Sequence, residues 1–311
     1  MLSSSQLSIL KDNFIYDEKL YQFYDHHWHH VDMNNIKIYI RDHFSIQMDS
    51  NVFDRRFFQK PFNKDPNHLI CFKNGVYDFK SHQFRDGLPS DGCTLCTNYN
   101  YVPTYNNELW QYLHKVFPDT EDYIQFMKTM NQLFKGDPRL IYGYSTCNNG
   151  ISTLYRLIDM MYGSYGLNVQ PSQLEQRRPL LEYLNQKFKG RYLRFTGYAD
   201  DKLYKLYKSV TTFTSILTSI DETNQLKSIS CESSELKFKS KFLNNGINHK
   251  YNYPIDFNLT KQLSSFALTL MTKLINLQDA DIRYLYFNQN NIFVQDINHY
   301  ILTFYLKVMY L

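Results

Sequence analysis

The sequence predicts a mixed α/β protein: a small N-terminal α+β region followed by a three-layer domain with a central, mostly parallel sheet. Two observations lead there. Short apolar runs bounded by turn residues read as strands at 69–72, 76–79 and 140–144. Apolar residues spaced three and four apart read as helices at 110–134, 152–162 and 259–277. Strands and helices alternate in the second half, as a parallel sheet requires.

Residues 1 to about 60 read as helical and polar-aromatic. Within them, 34–50 is amphipathic, with Ile36, Ile38, Ile40 and Phe44 at apolar positions; some of these alternate, so helix and strand compete. Leu69-Ile70-Cys71-Phe72 and Val76-Tyr77-Asp78-Phe79 flank Asn74-Gly75, a pair that tolerates positive φ, so a hairpin is predicted. Leu109, Leu113, Val116 and Phe117, then Tyr123, Phe126, Met127, Met130 and Leu133, give two helices broken at Pro118-Asp119. Further strands are predicted at 190–195 and 238–243, and a helix at 203–210. The expected organisation is 1–104 for the α+β region, 105–138 for a helical linker, 139–277 for the sheet domain and 278–311 for a helix or strand tail.

The 311 residues carry 34 basic and 30 acidic side chains, a net charge of +4. That excludes a polycation binding through net charge alone. With 43% hydrophobic and 21% charged residues, wholesale disorder is excluded too. No apolar run approaches the roughly 18 residues of a membrane helix, and the start lacks a secretion signal. Five cysteines without a signal predict free thiols in a reducing, intracellular setting. Cys93-Thr-Leu-Cys96 is one CxxC pair without a second, read as two small buried residues in a strand. The run His26-His27-Trp28-His29-His30 is read as a solvated loop or helix end, because adjacent side chains point to different faces. Tyr (27) and Phe (23) are abundant throughout, so an aromatic is not by itself a stacking platform.

The chemistry concentrates after the 140–144 strand. A phosphate-binding loop reads GxxxxGK[ST], with backbone N–H groups cradling phosphate and a lysine neutralising it. Here the register is Ser145-Thr146-Cys147-Asn148-Asn149-Gly150-Ile151-Ser152. The second glycine and the magnesium-binding hydroxyl position, Ser152 or Thr153, are present; the first glycine is Ser145 and the lysine is Ile151. Strand, small-residue loop and helix still make a cradle, but the charge-assisted contact to the phosphates is lost. ATP with magnesium is the expected cofactor if the site functions.

Asn67-His68-Leu69-Ile70-Cys71-Phe72-Lys73-Asn74-Gly75-Val76-Tyr77-Asp78-Phe79, with Phe84-Arg85 and Pro89, resembles the conserved N-terminal region of the poxvirus-type primase-helicases, superfamily 3 helicases of large cytoplasmic DNA viruses. Trp110 and Val116-Phe117-Pro118-Asp119 are similar to their linker helix. Asn149-Gly150-Ile151-Ser152-Thr153 sits where they carry Asn-Gly-Lys-Ser-Thr. Gly163-Ser164-Tyr165 resembles the Gly-Asp-Tyr closing the next helix, Gly190-Arg191 opens a strand like their second ATPase motif, and Lys208-Ser209-Val210-Thr211 is similar to their Lys-x-Leu-Thr. Asn244 or Asn245 falls at the sensor position, though both also suit a turn before Gly246. The resemblance implies a P-loop (AAA+-like) ATPase domain, a hexameric ring, DNA as a partner and other replication proteins around it.

The departures weigh against activity. Besides Ile151, the acid of the second motif falls at Gly197, with Asp200 and Asp201 three and four residues late. The family's Gly-Gly-Asp is absent after Thr211, and no clear arginine precedes Pro254-Ile255-Asp256-Phe257. The chain is also too short to hold the family's primase domain. The expected binding residues are Ser145, Asn148, Asn149, Gly150, Ser152, Thr153 and Asn244 for nucleotide, with Asp200 and Asp201 as the only catalytic candidates. Lys202, Lys205 and Lys208, interleaved with tyrosines in a basic stretch that includes Arg194, are the expected DNA contacts. Three functions stay open: a replication protein with impaired hydrolysis acting by binding, an active divergent helicase using Asp200 or Asp201, and an interaction protein with no nucleotide role.

Overall fold

The computed structural model describes residues 2–47, 55–58, 64–103, 106–135, 140–144, 149–169, 192–198, 215–220, 233–243, 252–254 and 259–275. The N-terminal part opens with α1 (Ser4–Asn13), started by a reciprocal capping box between Ser3 and Gln6. Strands β1 (Phe14–Asp17), β2 (Lys19–Tyr24) and β3 (His27–Val31) then form an antiparallel meander. This corrects the largely helical reading of the first sixty residues. The turns there use Glu18, Asp25 and His26 at φ 58°, 46° and 68°. With no Gly or Asn-Gly to mark them, the usual hairpin signal is absent. The histidine run likewise enters a turn and a strand, not a helix end, with Trp28 3% exposed.

Helix α2 (Met33–Phe44) is capped by Asp32, whose carboxylate accepts the N–H groups of Asn34 and Asn35. Ile36 and Ile40, one turn apart, are buried against Leu10, Phe14, Leu20 and Phe58, while Ile38 faces out. The helical period therefore wins over the alternation seen in the sequence.

The predicted hairpin is β4 (Leu69–Phe72) and β5 (Gly75–Asp78), extended by β6 (Gln83–Arg85). Arg85 then makes a two-pronged contact of 2.7 and 2.8 Å with the buried Asp91 carboxylate, which also accepts the Leu88 N–H. Cys93 and Cys96 are buried as expected, but in an irregular segment and not a strand. The meander docks on this segment through Trp28, whose backbone N–H donates to Cys93 O and whose indole donates to Pro89 O.

Helices α3 (Asn107–Val116) and α4 (Thr120–Lys135) are separated at Phe117 and Pro118, as predicted. Beyond them lie β7 (Leu140–Tyr144), α5 (Ile151–Tyr162), β8 (Gly166–Val169), β9 (Tyr192–Tyr198), β10 (Ser215–Ile220) and β11 (Ser233–Leu236). These five strands form one sheet in the order β11-β7-β10-β9-β8, with every neighbouring pair parallel. A short parallel pair, β12 (Lys241–Leu243) and β13 (Asn252–Pro254), and helix α6 (Leu259–Ile275) complete the described chain. The largest core joins α3, α4, α5 and α6 to the sheet, through residues such as Leu113, Met127, Leu157, Ile158, Phe266 and Leu270.

The hairpin region is tied to the end of α5 by the Gly163-Ser164-Tyr165 turn. Ser164 N–H donates to Cys96 O, the Cys96 N–H donates to Ser164 Oγ, and Tyr99 OH donates to Met161 O. Gly163 sits at φ +54°, where a Cβ would lie 2.3 Å from Thr97 O. That close approach of two backbones is the reason a glycine stands there.

Candidate functional site

In a parallel sheet, ligands bind beyond the carboxyl ends of strands where the connections diverge in direction. Here β7 connects through α5 to β8 at the far edge, while β11 lies on its other side. Register pairs Tyr144 with Ile220 and Ser219 with Tyr198, so β7, β10 and β9 end along one edge. Helix α5 opens beside that edge. Its N-cap is Gly150, at φ 83° and with no side-chain cap. Asn149 is 1% exposed, and its Oδ1 accepts the Ile151 N–H at 3.2 Å. This oxygen therefore shapes the entry to the helix.

Ile151 is 5% exposed and turns back onto β7: a Cβ at Gly143 would lie 3.0 Å from its Cδ1 and 2.5 Å from the Phe238 ring. A Cβ at Gly150 would meet the Phe242 ring at 2.9 Å and Val116 at 3.4 Å. Glycine is thus needed at 150 both for its backbone angle and for the ring over it. Ser152 is exposed and Thr153 half-buried on the first turn of α5. The helix N-terminus favours an anion, whereas its immediate neighbours Ile151, Val116, Phe238 and Phe242 are apolar and offer a charge nothing.

Of the sequence-derived site residues, Asn149, Gly150, Ser152 and Thr153 come together here. Ser145, Asn148, Asp200, Asp201, Lys202, Lys205, Lys208 and Asn244 lie outside the described residues. Arg194, part of the basic stretch, has a structural partner: its guanidinium is 2.9 Å from the Asp159 carboxylate on α5. Tyr192 OH donates to the other Asp159 oxygen at 2.6 Å. Burial pushes this carboxyl above its ordinary range, against the opposing influence of the Tyr192 hydroxyl and Arg194. The sequence reading missed Phe238 and Phe242, because nothing local marks an aromatic that packs on Gly143 or Gly150, some ninety residues upstream.

Strand β9 is irregular at its carboxyl end. From Leu217 to Ser219 on β10, its partner positions move from Arg194 to Tyr198, so β9 carries extra residues in a bulge. Gly197 lies within that bulged stretch.

Comparison with known proteins covers part of the chain. Residues 32–130 match the family described as "D5 N terminal like". The chain is 36% identical over 104 residues to "Putative helicase 121R" of Invertebrate iridescent virus 3, a match covering 30% of this chain and 11% of that protein. It is 44% identical over 59 residues to the helicase-named L207/L206 of Acanthamoeba polyphaga mimivirus, covering 17% and 6%. The chain thus spans about a tenth or less of the length of these relatives. The fold resembles the solved structure reported as "The A form apo structure of NrS-1 C terminal region-CTR", with a TM-score of 0.56 at 9% identity, covering 89% of this chain and 69% of that one. Among the described residues, no helix is long and apolar enough to cross a membrane. At this coarse level the chain carries a D5 N-terminal-like segment at residues 32–130 and is similar, over part of its length, to helicase-named viral proteins.

Proposed function

We propose that this chain is a viral DNA-replication protein built on a P-loop (AAA+-like) core whose ATP hydrolysis is impaired, and that it acts by binding DNA or replication partners. The observation that carries this reading is Ile151. At the first position of α5, where a phosphate site needs a cation, a buried isoleucine lies against β7 under Phe238. The parallel sheet, the glycine-capped helix and the exposed Ser152 hydroxyl suit a phosphate and its magnesium. The apolar surroundings do not suit the charge that moves during phosphoryl transfer. The residues present therefore fit a weakly held nucleotide better than one that is turned over.

The direct test is a titration with a fluorescent ATP analogue and magnesium, on the wild type and on Ile151→Lys. The wild type is expected to bind weakly, and the lysine to tighten binding by about tenfold or more, roughly 1.4 kcal/mol. Tight binding by the wild type, unaltered by the lysine, would overturn the reading.

The β9 bulge favours a second reading. It lengthens the strand by two residues relative to β10, which lessens the lateness of Asp200 and Asp201. In that case the chain is an active divergent helicase, and DNA-stimulated hydrolysis should vanish in Asp200→Ala or Asp201→Ala.

A further inference from the structure

Three segments far apart in sequence converge beneath the N-terminal meander. His27 comes from the start of β3, Cys71 from β4, and Cys93 and Cys96 from the irregular segment after β6. The ligand atoms of His27, Cys71 and Cys96 all lie within 4.8 Å of one another. Cys93 packs in the same buried cluster as Cys71 and Cys96, outside that 4.8 Å group. All three cysteines are buried and none is in a disulfide.

We propose that His27, Cys71 and Cys96 hold a zinc ion, with Cys93 of the same buried cluster turning in as the fourth ligand, and that the metal pins the meander, the hairpin and the Cys93–Cys96 turn together. This assignment is independent of the nucleotide reading. A Cys₃His set is a common structural zinc environment, with Zn–S near 2.3 Å, which places sulfurs about 3.8 Å apart. The ligand atoms of His27, Cys71 and Cys96 are within about 1 Å of that spacing.

The surrounding contacts are those a ligand set needs. His27 Nδ1 lies 2.9 Å from Asp25 O, so with its proton there the ring presents Nε2 as the ligating nitrogen. The Asn98 N–H donates to Cys96 Sγ at 3.4 Å, from a residue held at φ 66°. Asp65 shapes the turn between the paired cysteines: its carboxylate accepts the N–H groups of Thr94 at 2.6 Å and Leu95 at 2.8 Å, and the Thr94 hydroxyl. Three thiolates and one Zn²⁺ leave one net negative charge. The CxxC pair is thus joined by Cys71 from β4 and His27 from the start of β3.

The test uses the full chain carrying Cys147→Ser and Cys231→Ser, purified without a metal-affinity tag. Its zinc content is measured by plasma mass spectrometry and its absorption spectrum after cobalt(II) exchange. The expected result is about one zinc per chain and, with cobalt, intense visible bands and thiolate charge-transfer bands of a tetrahedral sulfur-rich site. Cys96→Ser and His27→Asn should weaken or shift those bands, while His43→Asn, on α2 and stacked on Tyr39, should leave them unchanged. A chain that holds no zinc, gives only the pale spectrum of octahedral cobalt, and has three titratable thiols or a disulfide by mass would overturn the proposal. If the variants fail to fold, the cobalt spectrum of the parent chain decides alone.

Discussion

Tyr165, on the turn that closes α5, accepts with its hydroxyl a 2.9 Å hydrogen bond from the backbone N–H of Cys71 in β4. This bond links the hairpin region to the helix following β7. Both groups are buried, and burial pushes the phenol far above its ordinary range, so it remains a neutral hydroxyl at every physiological pH. The relationship explains a tyrosine that sequence alone placed only at the end of a helix.

Tyr165→Phe keeps the ring and removes the acceptor. The Cys71 N–H then loses its partner away from water, so a loss of about 1–3 kcal/mol is expected. Urea denaturation followed by circular dichroism reads this directly. A midpoint unchanged from wild type would show that the two regions are not coupled through this bond.

Gly163→Ala tests the adjoining backbone contact. Its φ of +54° and the 2.3 Å approach of a Cβ to Thr97 O both oppose any side chain. A loss of roughly 1–3 kcal/mol is expected for the strained backbone alone, with more if Thr97 must move. Proteolysis in the native state should quicken at the same time, since the turn anchors the segment containing Cys96. Equal stability of the two chains would mean that the turn relaxes freely.

A pH dependence is expected from His114 on α3. Its ring stacks on Tyr123 at 5.0 Å, and burial holds its pKa below the ordinary 6.5. The fold therefore favours the neutral ring. Above 6.5 both folded and unfolded chains are neutral and the contribution is complete. As pH falls through 6.5, the unfolded chain takes up the proton first, so stability declines until the folded-state pKa is reached. Comparing denaturation midpoints of wild type and His114→Gln at about pH 7.5 and about pH 5.5 isolates this group from the other histidines. The wild type should lose more stability on acidification than the variant, and an equal loss in both would contradict the assignment.

Much of the fold was legible where signals are local. Asn74-Gly75 announced its hairpin, Pro118 its helix break, and the three-to-four spacing of Leu109, Leu113 and Val116 their shared buried face. The meander was hidden because its turns rest on Glu18, Asp25 and His26 at positive φ, with no Gly or Asn-Gly to mark them. At the candidate site, Gly150 and Ile151 were legible from motif register, and their placement at the start of α5 follows the predicted helix. The rings of Phe238 against Gly143 and Phe242 against Gly150, and the Arg194–Asp159 pair that removes one cation from the basic stretch, depend on long-range packing. The same holds for His27 and Cys71 beside the CxxC pair: no spacing rule joins residues brought together by three separate strands and loops.

The most direct test of the central claim is steady-state ATP hydrolysis by the purified chain with magnesium, with and without single-stranded DNA. An apolar residue at position 151 should leave turnover at the level of a buffer control in both conditions, with Ile151→Lys showing whether a restored cation raises it. Hydrolysis by the wild type that DNA stimulates, and that disappears in Asp200→Ala, would contradict the claim.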